Sequence, residues 1–516
     1  MTDQSLPASR PGHDPAVVIV GAGFSGLCMA IQLKQAGLDR FVVLEKAHAV
    51  GGTWRENTYP GCACDIASLL YSYSFEPKAD WSHLFPRQPE ILNYLEHCVD
   101  TYGVRPHIRF GTEFTGAEFD DATDQWEVFT STGETIRAKV LVIGRGLLHR
   151  PNIPDMPGLQ RFLGSAFHSA EWDHGVDLTG KRIAVVGTGA SAVQFVPQIA
   201  RQAARLHVFQ RTPPWVLPRL DRRLSAAEHR LFRRVPALQR ALRYLIYWYQ
   251  ESLGLGLAHP RLLRSLEAIA RWHIRRQIAG EELRRKVTPY YTIGCKRILL
   301  SNDYYPALTR PNVELVTERI VEVSEHSIVT CDGAERAVDA IIFGTGFHVT
   351  DSFKEGHIVG RNGVKFNDAW RDGIQAYLGV TVAGFPNLFW LLGPNSGLAH
   401  SSMVFMIEAQ VRHVSQCLRP LEDSQARRVE VRPSAQAAFN RGLQNRLAGT
   451  VWSVGGCNSR YLDRHGVNRV MWPGSSVRYW LRTRRLRTTD YEVTPDAGTA
   501  CQQAREDVRR HAWRHE

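Results

Sequence analysis

The 516-residue sequence predicts an α/β chain of two Rossmann-like domains, the first interrupted by the second, with a helical insertion in the second. Two glycine-rich turns, at residues 21–26 and 187–192, each follow an apolar, β-branched run and open onto a helical pattern. Nineteen residues after the last member of each turn, a further apolar run has given way to a charged residue, Glu45 in the first case and Arg211 in the second. Composition agrees, since 44% hydrophobic and 22% charged residues suit roughly three globular domains and exclude disordered or fibrous chains.

In the first unit, Ala16 to Val20 reads as a strand, Gly21, Gly23 and Gly26 as the turn, and Leu27 to Gln35 as a helix. Ala16 to Leu33 is uncharged, but its glycines and the lack of a basic flank or cleavage site exclude a signal or membrane segment. The first glycine permits the turn, the second lets backbone approach a pyrophosphate, and the third lets helix and strand pack closely. Phosphates then fall on the helix N-terminus. The strand Phe41 to Leu44 ends at Glu45, an acceptor for ribose hydroxyls.

In the second unit, Arg182 to Val186 is the strand, Gly187, Thr188, Gly189 and Ser191 to Ala192 the turn, and Val193 onward the helix. Alanine is tolerated in the third glycine place. The strand Val208 to Gln210 leads to Arg211 and Thr212. A carboxylate there would repel a 2′-phosphate, whereas a guanidinium pairs with it for about 1.5 to 3 kcal/mol. The first site therefore expects a dinucleotide with a free ribose and the second NADP(H), which together suggest a flavoprotein whose FAD is reduced by NADPH. The fold alone does not say what the reduced flavin acts on.

The net charge of +12 is concentrated, because residues 222–286 hold 15 Lys/Arg against 5 Asp/Glu. This stretch reads as helices with solvated faces, a funnel for a polyanionic cofactor, or a contact for an anionic membrane surface. Its apolar part, Ala241 to Tyr249, is too short to span a bilayer. With no zinc-finger, RNA-recognition or helix-turn-helix pattern, a nucleic-acid partner is not expected, and neither is a metal site. Nine scattered cysteines predict no disulfide scaffold and a reducing, cytoplasmic setting. Cys62 and Cys64 stand in a C-x-C spacing and read as packed thiols, which argues against a flavin disulfide reductase.

Phe162, Gly164, His168, Trp172 and Asp173 match the F-x-G-x-x-x-H-x-x-x-W-[PD] fingerprint of type I Baeyer-Villiger monooxygenases. Gly51-Gly52-Thr53-Trp54, followed by Tyr59-Pro60-Gly61 and Asp65, resembles that family's second signature, and Tyr71 joins them as a cofactor contact. The resemblance extends to Gly393–His400 and to Trp452–Cys457. It implies an NADPH-dependent enzyme that inserts one oxygen atom of O2 beside a ketone carbonyl, giving an ester or lactone through a C4a-peroxyflavin. Lys296-Arg297 resembles the family pair in which the lysine holds the 2′-phosphate and the arginine lies over the flavin, with Asp65 holding the guanidinium. Trp452 resembles the mobile-loop tryptophan near NADP, and the fingerprint is expected in the interdomain connection. Two departures stand out: Cys62-Ala63-Cys64 where the family often has Ala-Arg-Cys, and Gly144-Arg145-Gly146 where it often has Ala-Thr-Gly.

The expected layout is an FAD domain at 1–148 resumed at 350–516, and an NADP domain at 149–220 and 287–349 around a basic helical insertion at 221–286. Residues 1–14 and about 486–516 are polar and lack apolar periodicity, so they are expected to lie outside the packed fold. A flavin-dependent sulfur or nitrogen oxygenase is the alternative within the enzyme class, and a flavin-bearing NADPH sensor the non-enzymatic one. Arg297 with Asp65 favours chemistry over sensing.

Overall fold

The computed structural model describes residues 14–349, 353, 356–422 and 425–496. Short β-branched runs, largely buried, form two five-stranded parallel sheets. In spatial order the first contains Leu388–Trp390, Val140–Ile143, Val17–Val20, Phe41–Leu44 and Ile108–Arg109. The second contains Val313–Val316, Arg205–Phe209, Arg182–Val186, Ala340–Phe343 and Ser165–His168. Every neighbouring pair is parallel.

The units repeat one plan. A glycine turn joins the first strand to a helix, Phe24–Gln35 or Ala190–Ile199. An antiparallel meander, Phe114–Ala138 or Ile320–Ala337, precedes the strand that follows. Each meander packs on its sheet through a separate apolar layer, with Trp126 and Val128 on Val18 and Leu141 in one, and Val323 and Ile328 on Ala184 and Ile341 in the other. The opposite faces of both sheets share one continuous core, so burial holds the two units together.

Residues 221–287 supply the helices Ala226–Arg234, Pro236–Ala258, Arg264–Gln277 and Glu281–Val287. Ser225 and Glu228 form a capping box that starts the first. The long helix reaches the C-terminal part of the chain: the Tyr247 ring stacks on Phe405 with centroids 5.1 Å apart. Glu251 accepts from the Ser476 backbone N–H at 3.0 Å and its hydroxyl at 2.6 Å.

One expectation about the C-terminus is overturned. Tyr491–Pro495 is a strand paired antiparallel with Ala426–Val431, so residues 486–496 belong to the fold. Tyr491 anchors it, nearly fully buried, with its hydroxyl 2.8 Å from His413 Nε2. A five-residue strand with one large apolar anchor is too short to reveal a period. Residues 1–13 and 497–516 lie outside the described residues.

Candidate active site

The first glycine turn is fixed by space. Gly21 has φ 95°, and a Cβ on Gly26 would collide with the Gly21 carbonyl. Gly23 and Gly52 face each other, so that a Cβ on Gly52 would stand 3.2 Å from Gly23 Cα. The two bare backbones leave an open cradle at the N-terminus of helix Phe24–Gln35, which suits a pyrophosphate. Glu45 is buried beside it: Oε2 accepts from Ala22 N at 2.8 Å, and Oε1 from Ala47 N at 3.0 Å and Arg55 Nη1 at 3.1 Å. Arg55 was not legible as this partner, because its role exists only once Thr53–Glu56 folds as a short helix. Trp54 is buried and donates through Nε1 to the Tyr71 hydroxyl at 3.1 Å, while Tyr71 meets Phe24 edge-on. The departure at 144–146 has a packing reason, since a Cβ on Gly144 would lie 3.0 Å from Gly26 N.

The second turn uses the same device. Gly187 has φ 103°, and a Cβ there would lie 2.6 Å from Gly344 O. Gly344 in turn faces Ala192, which explains how alanine is accommodated in the third place. Thr188 Oγ1 donates to Thr212 O at 3.3 Å, and Ser191 neighbours the Tyr59 hydroxyl. Beyond the strand Arg205–Phe209, Arg211 is exposed. Burial, and then the neighbouring Arg211 and Arg460, push the Lys296 ammonium below its ordinary range. Among the described residues none of these three cations has an ion-pair partner, so they form a like-charge cluster suited to an anion such as a 2′-phosphate. Arg460 was missed in the sequence, where it stands apart from both motifs.

Asp65 reaches this region on the loop from Tyr59, which crosses from the first unit to the second. Gln194 Oε1 accepts from Ala63 N at 2.8 Å, and Arg219 Nη2 donates to Cys64 O at 3.1 Å. Arg297 meets Asp65 in a two-pronged pair, with Nε to Oδ2 at 2.8 Å and Nη2 to Oδ1 at 2.6 Å. Loss of hydration raises the Asp65 pKa, but the Arg297 charge and its hydrogen bonds outweigh this and hold the carboxyl below its usual range. The Asp65 charge likewise raises Arg297 above its ordinary value. Both side chains keep about a quarter of their surface open, and Nη1 takes no protein acceptor among the described residues. Cys62 and Cys64 are free and buried, and burial pushes the Cys62 thiol up to about 12, so both are inert packing groups.

One disulfide is present among the described residues, short of a scaffold. Cys295, next to Lys296, is disulfide-bonded to Cys457, five positions after Trp452. The contact around it is tight: Thr292 N donates to Gly455 O at 3.0 Å, and Gly455 lies against Cys295. A separation of 162 residues hid the pair, although Cys457 ends a segment already singled out and Cys295 directly precedes the Lys296-Arg297 pair. Trp452 is buried on the short helix Val451–Val454, and its indole N–H has no partner among the described residues.

The fingerprint residues form a packing joint. Ser165–His168 is the edge strand of the second sheet, paired parallel with Ala340–Phe343. His168 is fully buried, its Nδ1 accepts from Ala170 N at 3.1 Å, and burial pushes its pKa down to about 4. Trp172 packs on Phe167 and on Phe195 of the nucleotide helix, with both centroid distances 5.3 Å. Asp173 Oδ1 accepts from Gly175 N at 2.8 Å, and Gly164 leaves room for the Phe162 ring.

Known proteins resemble this chain in sequence and fold. A family profile described as pyridine nucleotide-disulphide oxidoreductase matches residues 18–235. A Baeyer-Villiger monooxygenase of Pseudomonas aeruginosa is 46% identical over 496 residues, covering 96% of this chain and 94% of that protein. The structure of an oxidized steroid monooxygenase bound to NADP superposes with a TM-score of 0.85 at 33% identity, over 93% of this chain and 99% of that one. That of OTEMO in complex with FAD and NADP gives 0.85 at 28% identity, over 93% and 100%.

Proposed function

The chain belongs to the Baeyer-Villiger monooxygenases, FAD- and NADPH-dependent enzymes that convert ketones to esters or lactones, and from that premise we propose how its own residues divide the work. The observation that carries the proposal is the two-pronged Asp65–Arg297 pair with its open Nη1 edge.

The cradle of Gly21, Gly23, Gly26 and Gly52 would hold the FAD pyrophosphate, with Glu45 beside the ribose and Trp54 and Tyr71 walling the site. The turn from Gly187 to Ala192 would hold the NADPH pyrophosphate, and Arg211, Lys296 and Arg460 its 2′-phosphate. Trp452, its buried indole N–H without a protein partner among the described residues, would stand on the NADPH side of the centre. Bound FAD, reduced by NADPH, supplies the electrons that activate O2 and the route by which one oxygen atom reaches the ketone.

Arg297 is the fixed positive charge of the reacting centre. A guanidinium stays protonated at working pH, so it can compensate negative charge developing on the carbonyl oxygen without giving up a proton. Asp65 sets the plane of the fork and aims Nη1 away from itself, a positioning role that an exposed carboxylate could not hold rigidly. The two side chains come from different units, so the centre is complete only when both are packed together.

Arg297→Ala tests the assignment. Loss of one preorganised charge of this kind costs about a hundred- to a thousandfold in turnover. Ester formation should fall by that factor, while NADPH oxidation continues and its electrons appear as hydrogen peroxide. Arg297→Lys should recover little, because an ammonium lacks the planar fork. Ester production by the alanine variant at near wild-type rate would remove Arg297 from the chemistry.

A further inference from the structure

The helix Pro236–Ala258 has two unlike faces. Inward it turns Arg243, whose Nη2 donates to Ser72 O at 3.1 Å, and Tyr247 and Glu251, which bind Ser476. Outward it turns Tyr244, Leu245, Trp248, Tyr249 and Leu255, each more than half exposed. This outer stripe runs for about 17 Å at roughly 1.5 Å per residue. Between Tyr244 and Leu255 the sole charged residue is Glu251, and it is buried, so the stripe is uncharged. Both ends are cationic: Arg230, Arg233, Arg234 and Arg240 precede it and Arg261 and Arg264 follow it, all exposed. Arg233 also reaches Asp80 at 3.1 Å.

We propose that this face seats the enzyme on an anionic lipid surface, with the helix lying in the interface plane. Exposed tryptophan, tyrosine and leucine between arginines are the chemistry that such a boundary selects, the rings entering the headgroup layer and the guanidiniums meeting lipid phosphates. Spanning is not required, since among the described residues no helix is long and apolar enough to cross a membrane. Charge also separates this occupant from a second copy of the chain. A two-fold pairing of the same stripe would set one arginine cluster against another in either direction, whereas an anionic bilayer neutralises both ends at once.

The test is co-sedimentation of the FAD-loaded enzyme with phosphatidylcholine vesicles, with and without about a third phosphatidylglycerol, at low and high salt. Binding should require the anionic lipid and fall as salt rises. Leu245→Ser with Trp248→Ser should weaken it at least about tenfold. Arg233→Gln, Arg234→Gln and Arg240→Gln together should weaken it by roughly a hundredfold, at about fivefold per charge. Both variants should keep wild-type flavin content and NADPH turnover with a water-soluble ketone, which shows that they fold. Absence of wild-type binding to anionic vesicles, or binding unchanged in both variants, overturns the proposal. So does a wild-type dimer in light scattering that Leu245→Ser with Trp248→Ser dissociates while vesicles stay unbound.

Discussion

Arg211 and Glu45 occupy equivalent places in two copies of one frame, each just past the strand that follows the glycine-turn helix, and they differ in charge. In the function proposed above that difference sets cofactor choice at the residue scale, which kinetics can test. Arg211→Ala should raise KM for NADPH by roughly 10- to 150-fold, the equivalent of one lost charge-assisted contact, and leave KM for NADH nearly unchanged. Steady-state kinetics with both nucleotides checks it, and equal losses would make Arg211 structural. Arg460→Ala should shift KM for NADPH in the same direction, since it belongs to the same cation cluster. The glycines and Glu45 were legible because a tight turn with close backbone approach admits few residue types at fixed spacing. Arg460 and Arg55 were not, because nothing in their neighbours distinguishes them from surface charge until folding brings Lys296 and Glu45 alongside.

At the scale of elements, the Cys295–Cys457 bond fastens the segment carrying Lys296 and Arg297 to the one carrying Trp452 and Arg460. Both sides of the proposed NADPH region are thereby held in one register. Cys457→Ser should keep FAD content but raise KM for NADPH and the hydrogen peroxide formed per NADPH consumed, each by several fold. Peroxide assay and flavin absorbance measure this, and a variant matching wild type in both would make the bond dispensable. Thiol titration of the denatured, unreduced protein checks the premise. Periodic elements were readable in advance: Phe41–Leu44 and Arg182–Val186 appear with the bounds that their apolar runs suggest. Tyr491–Pro495 was not, since its pairing partner lies some sixty residues away and supplies the burial.

For the molecule as a whole, pH sets stability through imidazoles buried in neutral form. Burial pushes both His168 and His413 down to about 4 from an ordinary value near 6.5. The unfolded chain takes up protons below about pH 6.5 that the native state refuses until about pH 4. Stability from these groups is therefore complete above about 6.5 and is lost as pH falls from there toward 4, on the order of 3 kcal/mol for each. Thermal melts between pH 7.5 and 4.5 should show Tm falling through that window, less steeply for His413→Gln, and a flat profile would contradict the linkage. A different consequence follows from the strand order of the two sheets. The second sheet has all five of its strands by residue 343, whereas the first cannot add Leu388–Trp390 to Val140–Ile143 until the chain is far longer. On the ribosome, the unit that begins later is thus the earlier to be complete, and the amino-terminal unit waits, with the edge of Val140–Ile143 unpaired, for a strand still to be translated.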